Sequence, residues 1–408
     1  MRAVVFYEVG DIRLEDVPEP KIEHENDAIV RLTASAICGT DLHMIRGTMP
    51  GMKSGTILGH EGVGIVEEIG KNVRNLNIGD RVIIPSTVGC GYCSYCRCGY
   101  FASCDNANSH GEFMDAGTAF FGGPKHTGPL HGMQAEKVRV PFANVGLVKI
   151  PNNVSDDAAI FLSDIFPTGY FGAKLAGVKK GNVVAVFGCG PVGLFAILSS
   201  FLLGAGRVIA VDRIPDRLEK ARELGAEIIN FEEEDPVKTI KKLTGNIGAD
   251  CVIEAVGVDA EHPSGVFAWA KNKISGKEKE FKEQVKKAAP KQNPDGDLWH
   301  PGSAPTQAIE WAVDSVCKAG TIGVIGEFSG GVTNFPLGKA MGKSLSLNMG
   351  SCNHRKYIPY LLKLVAAGIV DPTQILTAKA PLTSAIAAFE EFDQRAEGWI
   401  KVELMPDM

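Results

Sequence analysis

The run Val183-Val-Ala-Val-Phe187, followed by Gly188-Cys-Gly190-Pro-Val192-Gly193 and a long apolar segment, constrains this chain more than any other feature. A β-branched strand that ends in a glycine turn and opens a helix to about Leu203, with a second β-branched run at Val208 to Val211, predicts a βαβ unit. Further apolar runs at Cys251 to Ala255 and Thr321 to Ile325 continue the alternation, which predicts an α/β fold with a Rossmann-type, doubly wound parallel sheet. In that setting Gly188, Gly190 and Gly193 allow a tight turn, close approach of a pyrophosphate and close helix packing, and Val192 lies within the same turn. The helix start then offers free N–H groups and the positive end of its dipole to phosphate. Asp212 follows Gly193 by 19 residues, at the end of the next strand. A carboxylate there accepts hydrogen bonds from both hydroxyls of an adenosine ribose, which favours NAD over NADP. Arg213 is able to pair with a 2′-phosphate, but Asp212 would repel that same phosphate. Arg217, one helical turn on, is a candidate for the adenosine end.

The first 150 residues read differently. Short β-branched runs such as Ala28 to Leu32, Val63 to Ile69 and Arg81 to Ile84, punctuated by glycine, predict a barrel-like β domain that carries most of the cysteines and histidines. With 408 residues, two hydrophobic cores are expected. After Gly350 the pattern predicts a helix from Tyr357 to Ala367 and a strand from Ile400 to Leu404. Between Gly257 and Pro305 an insertion interrupts the alternation, and its Lys/Glu-rich part from Lys271 to Lys291 predicts one or two helices with solvated faces.

The net charge of −6 leaves no basic stripe for a phosphate backbone, so a small molecule is expected as partner and nucleic acid is not. The apolar stretch at the start of the sequence is too short for a signal-peptide core, and the run Val192 to Ala205 falls short of the ~20 residues that span a bilayer, so no membrane association is expected. Five of the ten cysteines fall between residues 90 and 104, a spacing suited to metal rather than to disulfides and hence to a reducing, cytoplasmic setting.

Those cysteines form Cys90-x2-Cys93-x2-Cys96-x7-Cys104, with Cys98 as a surplus thiol. Four thiolates at these spacings close a tetrahedron around zinc from one loop and leave no position for substrate, which predicts a structural site. Two disulfides or a cluster of free thiols are the alternatives, and taken alone the loop also fits a zinc-ribbon binding module without catalysis. A second constellation joins Cys38-Gly-Thr40-Asp-Leu-His43 to Gly59-His60-Glu61. Here a thiolate and an imidazole are suited to one shared zinc.

Together with Gly59-His60-Glu61-x2-Gly64-x5-Gly70-x2-Val73 and Gly79-Asp-Arg-Val82, these motifs resemble the zinc-containing medium-chain alcohol dehydrogenases over essentially the whole chain. The resemblance implies a GroES-like β-barrel catalytic domain over residues 1–164, completed by 351–408. It also implies an NAD-binding Rossmann domain over residues 165–350, with the insertion at about 258–304. Two zincs per chain are implied, one catalytic and one structural, in a homo-oligomer of two or four chains. The third catalytic ligand falls in Phe161-Leu-Ser-Asp164-Ile-Phe-Pro-Thr168-Gly-Tyr170, which offers Asp164 and no cysteine. That stretch is similar to the glutathione-independent formaldehyde dehydrogenase branch, although an aspartate there also reads as a helix cap.

The implied chemistry is hydride transfer to NAD from a small alcohol, or from an aldehyde hydrate, which is a gem-diol. Thr40 takes the hydroxyl proton and passes it to His43 by way of the nicotinamide ribose. Glu61 stands beside the metal or exchanges onto it, and Thr168 and Lys401 meet the coenzyme, Lys401 at the pyrophosphate. A polyol or threonine dehydrogenase is the alternative within the family. The insertion, with Trp269 and Trp299, is expected to fold over the coenzyme as a flap, which would retain NAD and permit dismutation.

Overall fold

In this computed structural model the described residues are 1–108, 117–264, 277–293, 296–328, 332 and 334–406. They divide into two units, one of Met1–Ile45, Pro50–Pro167 and Ser351–Met408, the other of Arg46–Met49 and Thr168–Gly350.

The second unit is built on six strands, all parallel, in the order Glu227–Asn230, Arg207–Asp212, Val183–Phe187, Ala249–Glu254, Val316–Val324 and Ser346–Met349. The first crossover runs from Val183–Phe187 through the helix Pro191–Leu202 to Arg207–Asp212 and reverses direction beside Ala249–Glu254, the switch point at which such sheets bind ligands. Residues of the inner strands, among them Ala185, Phe187, Ile209, Val211 and Val252, are buried in one core, as expected where helices cover both faces. Gly188 has φ +90°, and a Cβ on Gly193 would stand 1.8 Å from the Gly188 carbonyl oxygen. Both positions therefore require glycine, one for its conformation and the other for the approach of helix to turn.

The strand expected from Thr321 begins five residues earlier, at Val316. Its pairing with the neighbouring strand shifts between Ala249↔Val316 and Cys251↔Thr321, and Ala319 takes φ +58°, so the added length accommodates a bulge. In the insertion, the helix Lys277–Ala288 has the expected solvated Lys/Glu face and, opposite it, a buried one. Phe281, Gln284 and Ala288 form a buried stripe along it, and Gln284 accepts a hydrogen bond from Thr306 Oγ1 at 3.0 Å. Trp299 is buried, whereas Trp269 and the rest of residues 265–276, with 294–295, lie outside the described residues. Part of the expected flap, about 258–304, falls on those positions.

In the first unit a seven-stranded sheet runs in the order Ala378–Pro381, Val402–Met405, Ala28–Ile37, Gly62–Ile69, Arg81–Ile84 and Val148–Lys149, with Lys137–Val140 also paired to Ala28–Ile37. A three-stranded sheet, Asp11–Asp16, Arg2–Glu8 and Thr56–Ile57, accompanies it. The strand expected from Ile400 starts only at Val402, because the Ile400 and Lys401 amides donate to Thr377 Oγ1 at 2.9 and 3.0 Å rather than to a ladder. Among the described residues no helix is long and apolar enough to cross a membrane.

At the carboxyl end of Ala249–Glu254 sits a carboxyl group with unusual surroundings. Glu254 is fully buried; its Oε1 accepts from the Val256 and Gly257 amides at 3.0 and 2.8 Å, and its Oε2 has no hydrogen-bond partner. Burial outweighs the amides and pushes its pKa up to about 7. A carboxyl raised in the folded state contributes stability that is fully present below its unfolded value and is lost as pH rises through about 7. Glu254→Gln removes that loss. Between pH 5 and pH 8 the Tm of the variant is expected to improve relative to wild type by roughly 5 °C, and parallel pH profiles by calorimetry would contradict the assignment.

Candidate active site

Cys38 follows the strand Ala28–Ile37, and His60 precedes the strand Gly62–Ile69 that pairs with it, so two neighbouring strands carry the thiol and the imidazole to one end of the sheet. Asp164 arrives from the turn before the helix Ile165–Leu175. One donor atom from each of the three residues lies within 4.8 Å of the others, and all three are buried. Asp164 Oδ2 is 3.7 Å from Cys38 Sγ and 3.3 Å from His60 Nε2.

The hydrogen bonds around these atoms determine what they present. His60 Nδ1–H donates to Asp41 Oδ1 at 3.1 Å, which leaves a lone pair on Nε2 facing the Asp164 oxygen, and Nε2 has no hydrogen-bond partner. Burial would raise the Asp164 pKa, but the hydrogen bond from His354 holds it well below the usual carboxylate range. A lone pair, an anion and a thiol thus converge in a buried space. A divalent cation is the species that reconciles them, and thiolate plus carboxylate match its two charges. Thr40 Oγ1 lies 4.0 Å from Cys38 Sγ, and His43 is buried on the same short helix, Gly39–Ile45. The Phe120 and His60 rings stand nearly perpendicular, with 6.3 Å between centroids.

Glu61 and Lys401 form a buried ion pair, and Lys401 Nζ also donates to the Ile37 carbonyl at 3.0 Å. Lys401, expected from the resemblance at a pyrophosphate, is thus 1% exposed and placed against Glu61. Glu61 keeps one oxygen, Oε1, without a partner, and burial, opposed by Lys401, pushes its pKa up to about 7.

The four-cysteine loop closes on itself. The sulfurs of Cys90, Cys93, Cys96 and Cys104 lie within 4.8 Å of one another, and all ten cysteines are free thiols, so the disulfide alternative is not realised. Cys90 Sγ accepts from the amides of Tyr92 and Cys93 at 3.4 and 3.3 Å and from Asn106 Nδ2 at 3.2 Å. Burial opposes a charge on this sulfur, but these donors outweigh it and lower the Cys90 pKa to about 7. Cys93 caps the short helix Ser94–Arg97 by accepting from the Cys96 amide, while Cys98 is exposed. This donor set fits a structural zinc.

In the other unit, Gly190 caps the helix Pro191–Leu202 with no side-chain hydrogen bond, and Val192 and Gly193 fall in the first turn. The first-turn amides are available to phosphate, and a Cβ on Gly190 would meet only Arg217 Nη1, at 3.8 Å. Asp212 accepts three backbone amides, from Cys189 at 2.7 Å, Arg213 at 2.7 Å and Ile214 at 3.0 Å, which fixes its carboxylate at the strand end. Arg213 is paired with Glu261 at 2.5 Å. Thr168 is half-buried in the first turn of Ile165–Leu175.

Two site residues escape the sequence reading. Asp41 sits inside the Cys38 to His43 motif, so its signal was at hand. His354 Nε2 lies 2.7 Å from Asp164 Oδ1 across 190 residues of sequence, and no local motif marks it.

Comparison with known proteins agrees with this geometry. The alcohol dehydrogenase GroES-like domain family matches residues 24–152 and the zinc-binding dehydrogenase family residues 191–272. An uncharacterized zinc-type alcohol dehydrogenase-like protein of Bacillus subtilis, AdhB, is 38% identical over the full length of both chains. A glutathione-independent formaldehyde dehydrogenase of Pseudomonas aeruginosa is 39% identical over 64% of this chain and 66% of its own. Alcohol dehydrogenase TADH from Thermus sp. ATN1 superposes with a TM-score of 0.80 at 34% identity, over 99% of each chain. The chain belongs to the zinc-type alcohol dehydrogenase family, whose members are oxidoreductases that use a catalytic zinc, a structural zinc and NAD.

Cys104→Ser is expected to remove one of two zincs per chain and to lower Tm by roughly 5 °C or more, because folding and metal binding are linked at such a site. Cys98→Ser should keep both zincs and stay within about 1 °C of wild type. Elemental analysis with differential scanning fluorimetry checks both.

Proposed function

We propose that the protein interconverts a small alcohol, or an aldehyde hydrate, and the corresponding aldehyde or acid by hydride transfer with NAD, in the manner of a glutathione-independent formaldehyde dehydrogenase. The observation that carries the reading is the convergence of Cys38 Sγ, His60 Nε2 and Asp164 Oδ2 in a buried site whose third donor is a carboxylate. The partial similarity to a formaldehyde dehydrogenase supports the branch.

Cys38, His60 and Asp164 hold the catalytic zinc; when bound, it supplies Lewis-acid polarisation of the substrate oxygen. The remaining work falls to side chains. Thr40 takes the proton of the substrate hydroxyl while giving up its own, and His43, three residues on along the same helix, receives it. Phe120 supplies an apolar wall beside His60, suited to a small substrate and to exclusion of water. Glu61, with its Oε1 without a hydrogen-bond partner, would stand beside the bound metal, and Lys401 restrains it through the other oxygen.

The coenzyme preference follows from the other unit. Asp212 is the ribose acceptor, and Glu261 neutralises Arg213, the cation that a 2′-phosphate would need. The Gly190 turn receives the pyrophosphate, Arg217 serves the adenosine end, and Thr168 contributes from the helix Ile165–Leu175. The enzyme works as a homo-oligomer in a reducing, cytoplasmic compartment, consistent with ten free cysteines.

The deciding experiment is a panel of short alcohols, a polyol, threonine and formaldehyde with NAD, with formaldehyde expected to give the highest kcat/KM. Preference for the polyol or for threonine would move the protein to another branch, and one zinc per chain without NAD affinity would make it a binding module. Asp164→Ala should lose one zinc and on the order of 10³-fold in turnover. Asp212→Gly should lower the NAD over NADP preference in kcat/KM by at least about tenfold, and a wild type indifferent to the two coenzymes would refute the role given to Asp212.

A further inference from the structure

We propose that His354 is the positioning residue that allows an aspartate to serve at the catalytic metal site: its Nε2–H occupies Asp164 Oδ1, so that Oδ2 alone faces Cys38 Sγ and His60 Nε2. The inference rests on the reading of Cys38, His60 and Asp164 as zinc ligands given above. His354 Nε2 lies 2.7 Å from Asp164 Oδ1, and both residues are buried.

A cysteine in this position would present a single sulfur. An aspartate presents two equivalent oxygens on a torsion with a broad, two-fold energy profile. Left alone, such a carboxylate chelates with both oxygens and fills the position that substrate needs, or rotates away and leaves the metal short of a ligand. A catalytic zinc requires three protein ligands and one open position. The hydrogen bond to His354 removes the ambiguity by committing one oxygen.

The ring that imposes this order is itself fixed. His354 Nδ1 lies 2.9 Å from Thr87 Oγ1, and the same hydroxyl is 3.2 Å from the Cys352 carbonyl. Thr87 is buried, and its backbone bridges to Phe120 in the segment that also borders His60. His354 is the first residue of the helix His354–Ala366, which fixes its backbone as well. The pair Asp164–His354 mirrors the pair His60–Asp41: in one an imidazole orients a ligating carboxylate, in the other a carboxylate orients a ligating imidazole.

The test measures zinc release to a chromogenic chelator and residual zinc by elemental analysis in the full-length protein. His354→Ala is expected to lose the zinc assigned to Asp164 about 10- to 100-fold faster than wild type, with the four-cysteine zinc retained as the report of an intact fold. In an Asp164→Cys background, where a single sulfur needs no orientation, the same substitution should change the rate by less than about 3-fold. Wild-type release from His354→Ala, or an equal effect in the Asp164→Cys background, overturns the proposal. Should His354→Ala also shed the four-cysteine zinc, Thr87→Val, which removes the hydroxyl beside His354 Nδ1 together with its bond to the Cys352 carbonyl, is read in its place. Release at least about 3-fold faster supports the proposal and an unchanged rate overturns it. Asp164→Ala separates the two layers. If it keeps both zincs, the ligand assignment fails; if it loses one while His354→Ala loses none, only the role of His354 fails.

Discussion

A charge removed from water has to meet its complement within hydrogen-bond distance, and the first unit is organised by that requirement. Asp41, His60, Glu61, Asp164, His354 and Lys401 are all buried in or beside one apolar sheet. They are arranged as pairs: Asp41 with His60, Glu61 with Lys401, and Asp164 with His354. Asp41 does more than pair. Its second oxygen accepts from the Cys38 amide and from Gln134 Nε2, both at 3.0 Å, so one carboxylate sets the backbone of the thiol ligand and the tautomer of the imidazole ligand together. Among these pairs, His60 Nε2 and Glu61 Oε1 are left without hydrogen-bond partners.

The coenzyme half obeys a different constraint, set by backbone. Its strands are buried on both faces and its glycine turn leaves helix amides exposed to a ligand, so recognition depends on main-chain groups that few substitutions can alter. Asp212 is held by three amides, so its carboxylate is oriented before any ribose arrives. Beside it, Glu261 takes up Arg213 in an ion pair at 2.5 Å.

What was legible in the sequence follows from the range of each signal. The βαβ unit, the four-cysteine loop and the Cys38 and His60 motifs are written within a few residues of themselves, and the fold class and metal donors were readable from them. Asp41 was visible but unassigned, because a lone acid beside a ligand has no pattern until its distance to His60 is known. His354 was invisible: its partner stands 190 residues earlier, and a histidine opening a helix looks like any other. Lys401 was read toward the coenzyme, whereas its position is decided by Glu61, 340 residues away. The helix Lys277–Ala288 was read from its charged side alone, since three buried residues among twelve make a weak period.

The return of residues 351–408 to the first unit bears on synthesis as well as on stability. Domains tend to fold as units while the chain emerges, but this one lacks the partner of Glu61 and the partner of Asp164 until the intervening second unit has been translated. Until then the nascent barrel carries buried acids without counter-charges, a state that opposes tight closure. The four-cysteine loop has all its sulfurs within fifteen residues, although the Ala102 amide inside it also waits for Asn353 Oδ1, at 2.9 Å. The donors Cys38, His60 and Asp164 thus all precede Thr168–Gly350 in the chain, whereas the two side chains that brace the site, His354 and Lys401, follow it.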